Sequence, residues 1–118
     1  MSKTILIADD SVFMRKWLKD ILRESKYNVI SEAKDGYEAI QNYKLFAPDI
    51  VLMDITMPNL DGIDALKEIK AYDSAATVIM CTAMGHKRMI LDALNNGASD
   101  FIIKPNFANL IPVLQKIG

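Results

Sequence analysis

The sequence predicts an α/β fold, a parallel sheet of five strands with helices on both faces. Two observations carry that prediction. Short continuous apolar runs, rich in β-branched residues, recur along the chain, and each is followed by a stretch with helical apolar spacing. A strand that is apolar throughout is covered on both faces, and right-handed crossovers leave few ways to connect such strands. A third observation bounds the size. The 118 residues, 51% of them hydrophobic, suit one compact domain spanning residues 1–118 whose core needs no disulfide framework.

The first run is Ile5-Leu6-Ile7-Ala8, which ends in Asp9-Asp10. From Ser11 the period changes: Met14, Leu18, Ile21 and Leu22 recur at helical spacing, with Arg15, Lys16, Lys19 and Arg23 on the opposite side. Asp10 or Ser11 is the natural N-cap, and Trp17 belongs in the core or at its margin. Residues 28–33 mix apolar and polar side chains, as an edge strand does. Asp35-Gly36 turns the chain into a helix over 37–45, with Ala39, Ile40, Tyr43 and Leu45 on its inner side; Pro48 ends it. Ile50-Val51-Leu52-Met53 is the third strand and runs straight into Asp54.

Asn59-Leu60-Asp61-Gly62 is turn chemistry, and Ile63, Leu66, Ile69 and Lys70 carry a helix to about Asp73. Residues 77–82 form the next buried strand, after which Gly85 breaks the pattern. Met89, Ile90, Ala93 and Leu94 form the inner side of a further helix, stopped by Asn95-Asn96-Gly97. Phe101-Ile102-Ile103 is the last strand, followed by Lys104-Pro105, and residues 110–117 are the final helix. Proline is tolerated only in the first turn of a helix, so Pro112 requires that helix to start late, near Asn109, or to be kinked.

The charges nearly cancel: 14 basic against 15 acidic side chains give a formal net charge of −1. Nothing in that balance points to nucleic acid or an anionic membrane as a direct partner. Cys81 is the single cysteine, so no internal disulfide forms, and it reads as a buried small hydrophobe. With no signal peptide and no apolar run near the ~20 residues of a membrane span, the expected location is cytoplasmic.

In a parallel sheet every strand ends on the same edge, and ligands bind outside that edge. The strand ends here carry Asp9 and Asp10, Asp54, Thr82 and Lys104. Each has an ordinary explanation alone: Asp10 as an N-cap, Thr82 as a strand-end hydroxyl, Lys104 as a solvated charge. Together they place three carboxylates, a hydroxyl and an amine on one rim. Two carboxylates about 4 Å apart repel by about 4 kcal/mol at an effective dielectric near 20, so the rim calls for a cation. Oxygen ligands suit Mg²⁺, which keeps an octahedral shell and bridges to phosphate, while Lys104 supplies a second, mobile positive charge. A carboxylate beside a divalent cation and an ammonium can attack phosphorus and become an aspartyl phosphate.

On Asp9-Asp10, residues 54–62 (DITMPNLDG), Thr82-Ala83 and residues 100–105 (DFIIKP), the whole chain resembles a response-regulator receiver domain of two-component signalling. Phe13-Met14-Arg15, residues 53–62 and Thr82-Ala83-Met84-Gly85 are most similar to the stand-alone chemotaxis regulators of the CheY type. The resemblance implies a flavodoxin-like, doubly wound sheet in the order 2-1-3-4-5. It implies Asp54 as phosphoacceptor, and Asp10, Asp54 and the backbone carbonyl of Thr56 as Mg²⁺ ligands. It implies Asp9 as an acid holding the ion through water, Lys104 as a phosphoryl contact, Thr82 as the switch hydroxyl and Phe101 as the aromatic that turns inward with it. It also implies a cis bond between Lys104 and Pro105. The donor would be a phosphohistidine on a sensor kinase. The reader would be a downstream protein, at the flagellar motor or another output, docking on the face of the fourth helix, fifth strand and fifth helix.

Several residues depart from that pattern. Phe101 lacks the hydroxyl a tyrosine would bring, so the switch rests on packing. Asn106 stands where close relatives commonly carry phenylalanine. Thr56 and Met84 flank the site without an acid or amide to orient water, which implies slow self-dephosphorylation. His86, the single histidine, reads as a surface residue and makes no case for a transition metal. The expected protein is therefore a phosphoacceptor switch rather than an enzyme, able to phosphorylate itself from small donors with Mg²⁺. The alternative is a receiver excised from a larger regulator with DNA-binding or enzymatic output. A small aspartyl phosphatase would want a second acid at position 56, and a flavin module would want a hydroxyl-rich loop in place of Asp9-Asp10.

Overall fold

The computed structural model describes residues 3–83 and 87–117. Five strands, β1 (Lys3–Ala8), β2 (Tyr27–Ala33), β3 (Ile50–Asp54), β4 (Val78–Ala83) and β5 (Asp100–Lys104), form one sheet in the order β2-β1-β3-β4-β5. Every pairing is parallel. Five helices alternate with them: α1 (Val12–Leu22), α2 (Gly36–Phe46), α3 (Gly62–Tyr72), α4 (Lys87–Asn95) and α5 (Leu110–Ile117). The predicted architecture and strand order are both present.

The core divides into two layers because strand side chains alternate. Ile5, Ile7, Leu52 and Ile79 point to one face and pack with Leu18 and Leu22 of α1 and Leu110 and Leu114 of α5. Leu6, Val51, Met53 and Met80 point to the other and pack with Ala39 and Tyr43 of α2, Leu66 and Ile69 of α3, and Ala93 of α4. Cys81 is buried in the first layer, as a small hydrophobe should be.

Three apolar residues fall elsewhere than the helical spacing suggested. Leu45 is exposed near the end of α2, two residues past the last inward position, Tyr43. Met89 and Leu94 are partly exposed on α4, whose buried stripe is only Ile90 and Ala93. A helix of nine residues on a sheet margin buries a narrower stripe than one crossing the sheet centre. Trp17 lies at the core margin, edge-on to Phe107 at 5.1 Å between ring centroids.

The helix starts are explicit. Ser11 caps α1 by accepting the Met14 N–H, Asp35 caps α2 by accepting from Glu38, and Asp61 caps α3 by accepting from Asp64. Gly36, read from sequence as part of a turn, is instead the first residue of α2. After β5, a 3-10 turn over Phe107–Asn109 precedes α5, which starts at Leu110. Pro112 therefore lies in the first turn of α5, where its missing N–H has no partner to lose. The Lys104–Pro105 peptide is cis.

Candidate functional site

The site is built at the carboxyl ends of β1, β3, β4 and β5. Hydrogen bonding along β1 runs out just beyond Ala8, where the Asp9 N–H donates to the Ala33 carbonyl at 2.9 Å. Asp9 is buried, with Oδ1 accepting the Ser11 N–H at 2.9 Å. That short loop turns the chain from β1 into α1 and leaves Asp10 exposed at the rim. Asp54 closes β3 and is 6% exposed. Asp54 is therefore nearly sealed, although it stands at the rim where the strands end.

Lys104 ends β5, two strand spacings from β3, or about 10 Å. Its stem spans that gap, and Nζ meets Asp9 Oδ2 at 3.0 Å and Asp54 Oδ1 at 3.2 Å. The sequence suggested a mobile ammonium; it is instead buried and held between two carboxylates. Desolvation works against its charge, but the hydrogen bond to Asp9 and the charge of Asp54 outweigh it and raise its pKa.

Asp9, Asp10 and Asp54 each offer an oxygen, and these oxygens lie within 4.8 Å of one another. Ionised, they bring three negative charges against the single positive charge of Lys104. Burial, followed by the Asp9 charge, pushes the Asp54 carboxyl up from 3.8 to about 6, because one ammonium does not offset both. A hard divalent cation fits this set. Carboxylate oxygens gathered this closely are the hard donors that Mg²⁺ takes, and Asp10 and Asp54 could hold it directly. Both Asp9 oxygens already accept hydrogen bonds, from Ser11 and Lys104, which suits Asp9 to contact through water.

Thr82 is buried, one residue past Cys81, which is in register with Asp54. It stands opposite Ile103, one step before Lys104. Phe101 is half-buried in β5, in register with Met80, and packs on the layer beneath α2, α3 and α4. Thr56 is exposed in the loop after β3. Pro105 is exposed, and its carbonyl accepts the Phe107 N–H at 2.9 Å. Met84, Gly85 and His86 lie outside the described residues. The structure thus brings Asp9, Asp10, Asp54 and Lys104 into one pocket, with Thr82 on the same rim.

Gly62 fixes the loop that carries Thr56. A Cβ there would collide with the Asp54 carbonyl oxygen, and the Gly62 N–H donates to the Ile55 carbonyl at 2.7 Å. Sequence reading missed a second brace on this loop. Asp35 accepts Asn59 Nδ2 at 2.8 Å, and the Gly36 N–H donates to the Leu60 carbonyl at 2.9 Å. The Glu38 N–H, then Asn59, hold the Asp35 carboxyl below its ordinary range. Asn59 adopts φ +68°, a left-handed conformation asparagine tolerates. An aspartate before glycine and an asparagine after proline were the available signals, but each also reads as plain turn chemistry.

The family profile described as response regulator receiver domain matches residues 5–115. Chemotaxis protein CheY of Bacillus subtilis is 53% identical over 105 residues, covering 89% of this chain and 88% of the relative. Chemotaxis protein CheY of Thermotoga maritima is 52% identical over 119 residues, covering 100% of this chain and 99% of the relative. Among solved structures, one from Borrelia burgdorferi described as a CheX-CheY-BeF3-Mg²⁺ complex superposes with a TM-score of 0.93. It is 41% identical and covers 98% of this chain and 88% of that one.

Proposed function

The chain belongs to the response regulator receiver domain family, and from that premise we propose that residues 1–118 act as a single receiver with Asp54 as phosphoacceptor. The protein is a phosphorylation-activated switch of a two-component system in chemotaxis. A receiver excised from a regulator with DNA-binding or enzymatic output is not favoured, since these relatives are chemotaxis proteins.

One observation carries the assignment to Asp54. Of the two buried carboxylates that Lys104 touches, Asp9 also accepts the Ser11 N–H, whereas Asp54 has no other hydrogen-bond partner among the described residues. An Asp54 oxygen attacks phosphorus as the bond to the donor imidazole nitrogen of a sensor kinase breaks, and the imidazole leaves with the electron pair. Lys104 neutralises charge on the transferred group and holds Asp9 and Asp54 in place meanwhile. Asp10, Asp54 and the Thr56 carbonyl would hold Mg²⁺, with Asp9 reaching it through water, and the bound ion would supply charge neutralisation.

The new dianion draws Thr82 toward it, and Phe101 follows into the space Thr82 leaves, which biases a two-state packing of the α4-β5-α5 face. A downstream protein reads that face; the related CheY bound to CheX supports a protein reader. Thr56 carries no acid or amide to orient water, so self-dephosphorylation is slow.

The test is incubation of the wild type and Asp54→Asn with acetyl phosphate plus Mg²⁺ for intact-mass measurement, and with beryllofluoride plus Mg²⁺ for partner pull-down. The wild type is expected to gain one phosphoryl group that outlasts removal of the donor, and Asp54→Asn none. An unmodified wild type with Mg²⁺ present overturns the proposal.

A further inference from the structure

We propose that Arg15 is a positioning residue for the acidic pocket: it holds the Asp9–Asp10 peptide in the orientation from which Asp10 reaches the divalent ion. This rests on the reading of Asp9, Asp10 and Asp54 as the Mg²⁺ site. The sequence placed Arg15 on the outer side of α1 with Lys16, Lys19 and Arg23. Its side chain is instead 16% exposed, against 70% for both Lys16 and Arg23.

The guanidinium makes two bonds. Nη1 donates to the Asp9 backbone carbonyl at 2.6 Å, and Nε donates to Glu32 Oε1 at 3.0 Å. Glu32 lies on β2 in register with Ile7, and its other oxygen accepts Lys19 Nζ at 2.9 Å. Burial raises the Glu32 pKa, but the hydrogen bonds from Lys19 and Arg15 outweigh it and hold the carboxyl below its ordinary range. Glu32 is thus a charged anchor for the arginine.

Both polar groups of the Asp9 main chain are therefore tied to the end of β2. The N–H goes directly to the Ala33 carbonyl, and the carbonyl goes through Arg15 to Glu32. The Asp9 carboxylate is tied as well, to Ser11 and Lys104. Asp10 differs: it is exposed, and among the described residues its side chain makes no hydrogen bond. The peptide it shares with Asp9 sets its position, and Arg15 holds the carbonyl of that peptide. The two bonds demand donors in a rigid fork, which arginine has and lysine lacks.

The sign of the effect separates positioning from plain electrostatics. A cation near the pocket opposes a second cation, so deleting Arg15 as a mere charge would tighten Mg²⁺ binding. Deleting it as a support loosens binding, on the roughly tenfold scale typical of residues that orient metal ligands.

Calorimetric Mg²⁺ titration of the wild type, Arg15→Ala and Arg15→Lys tests this, with amide hydrogen exchange of the metal-free proteins alongside. We expect about tenfold weaker Mg²⁺ binding in Arg15→Ala and an intermediate loss in Arg15→Lys. Exchange at Asp10 and Ser11 should quicken in Arg15→Ala while β1 and β3 stay protected. Arg15→Lys keeps the charge and tests the fork even where Arg15→Ala folds poorly. Equal or tighter binding in Arg15→Ala, or wild-type binding in Arg15→Lys, overturns the proposal alone. A wild type that binds no Mg²⁺ overturns the metal reading and this proposal with it.

Discussion

Asp54 and Lys104 show how one buried pocket is left short of positive charge. The Asp54 carboxyl is raised from 3.8 to about 6, so the folded state holds this proton more tightly than the unfolded chain does. The stability it contributes is complete below about pH 3.8 and is lost as pH rises through about 6. At pH 7.5 without divalent ion, ionised Asp54 opposes folding by at most about 3 kcal/mol, at about 1.4 kcal/mol per pH unit. Asp54→Asn is therefore expected to melt several degrees above the wild type at pH 7.5, with the gap narrowing below pH 6. A scan of melting temperature against pH in EDTA checks this; a gap that widens toward acid contradicts it. Lys104→Met should act in the opposite sense. It leaves two buried carboxylates without their cation, at a cost of about 3–5 kcal/mol in urea unfolding at pH 7.5. Mg²⁺ should restore part of that loss.

The decisive contact among the elements is where α3 starts against β3. Gly62 lets the α3 N-terminus sit on the Asp54 carbonyl, and the Asp61 side chain caps the helix beside it. Gly62→Ala forces β3 and α3 apart and is expected to cost about 2 kcal/mol or more in urea unfolding. It should also depress phosphorylation, since the loop bearing Thr56 shifts with it; an unchanged urea midpoint would refute the close approach. Much of this was legible beforehand. Pro112 announced a late start for α5, and the chain spends Phe107–Asn109 on a 3-10 turn before the helix begins. Asp61-Gly62 read as a turn but not as a glycine demanded by Asp54, because a turn and a close approach use the same residues. Leu45 and Leu94 were assigned inward because spacing gives a face, whereas the width of the buried stripe depends on the partner surface.

Strand order makes the site at the scale of the whole molecule. With β3 between β1 and β4, the Asp9, Asp54 and Thr82 ends stand side by side, and a lysine from β5 reaches across them. A ligand of that pocket stabilises the whole fold by mass action. Mg²⁺ at about 100 times its dissociation constant should add about 2.7 kcal/mol. Thermal melts with and without Mg²⁺ should show that shift in the wild type and little of it in Asp10→Asn; an equal shift in both would remove Asp10 from the ligand set.

The sequence by itself determined that five apolar strands alternate with helices and that their ends carry three acids, a hydroxyl and an amine. Periodicity reports which side chains are buried, and a parallel sheet puts all strand ends on one edge. Tertiary structure alone decided that Lys104 is clamped rather than mobile, that Asp35 and Asn59 brace the Thr56 loop, and that Arg15 reaches the Asp9 carbonyl. Each of these joins residues on different elements. Their distances are set by strand order and helix docking, and no local period records them.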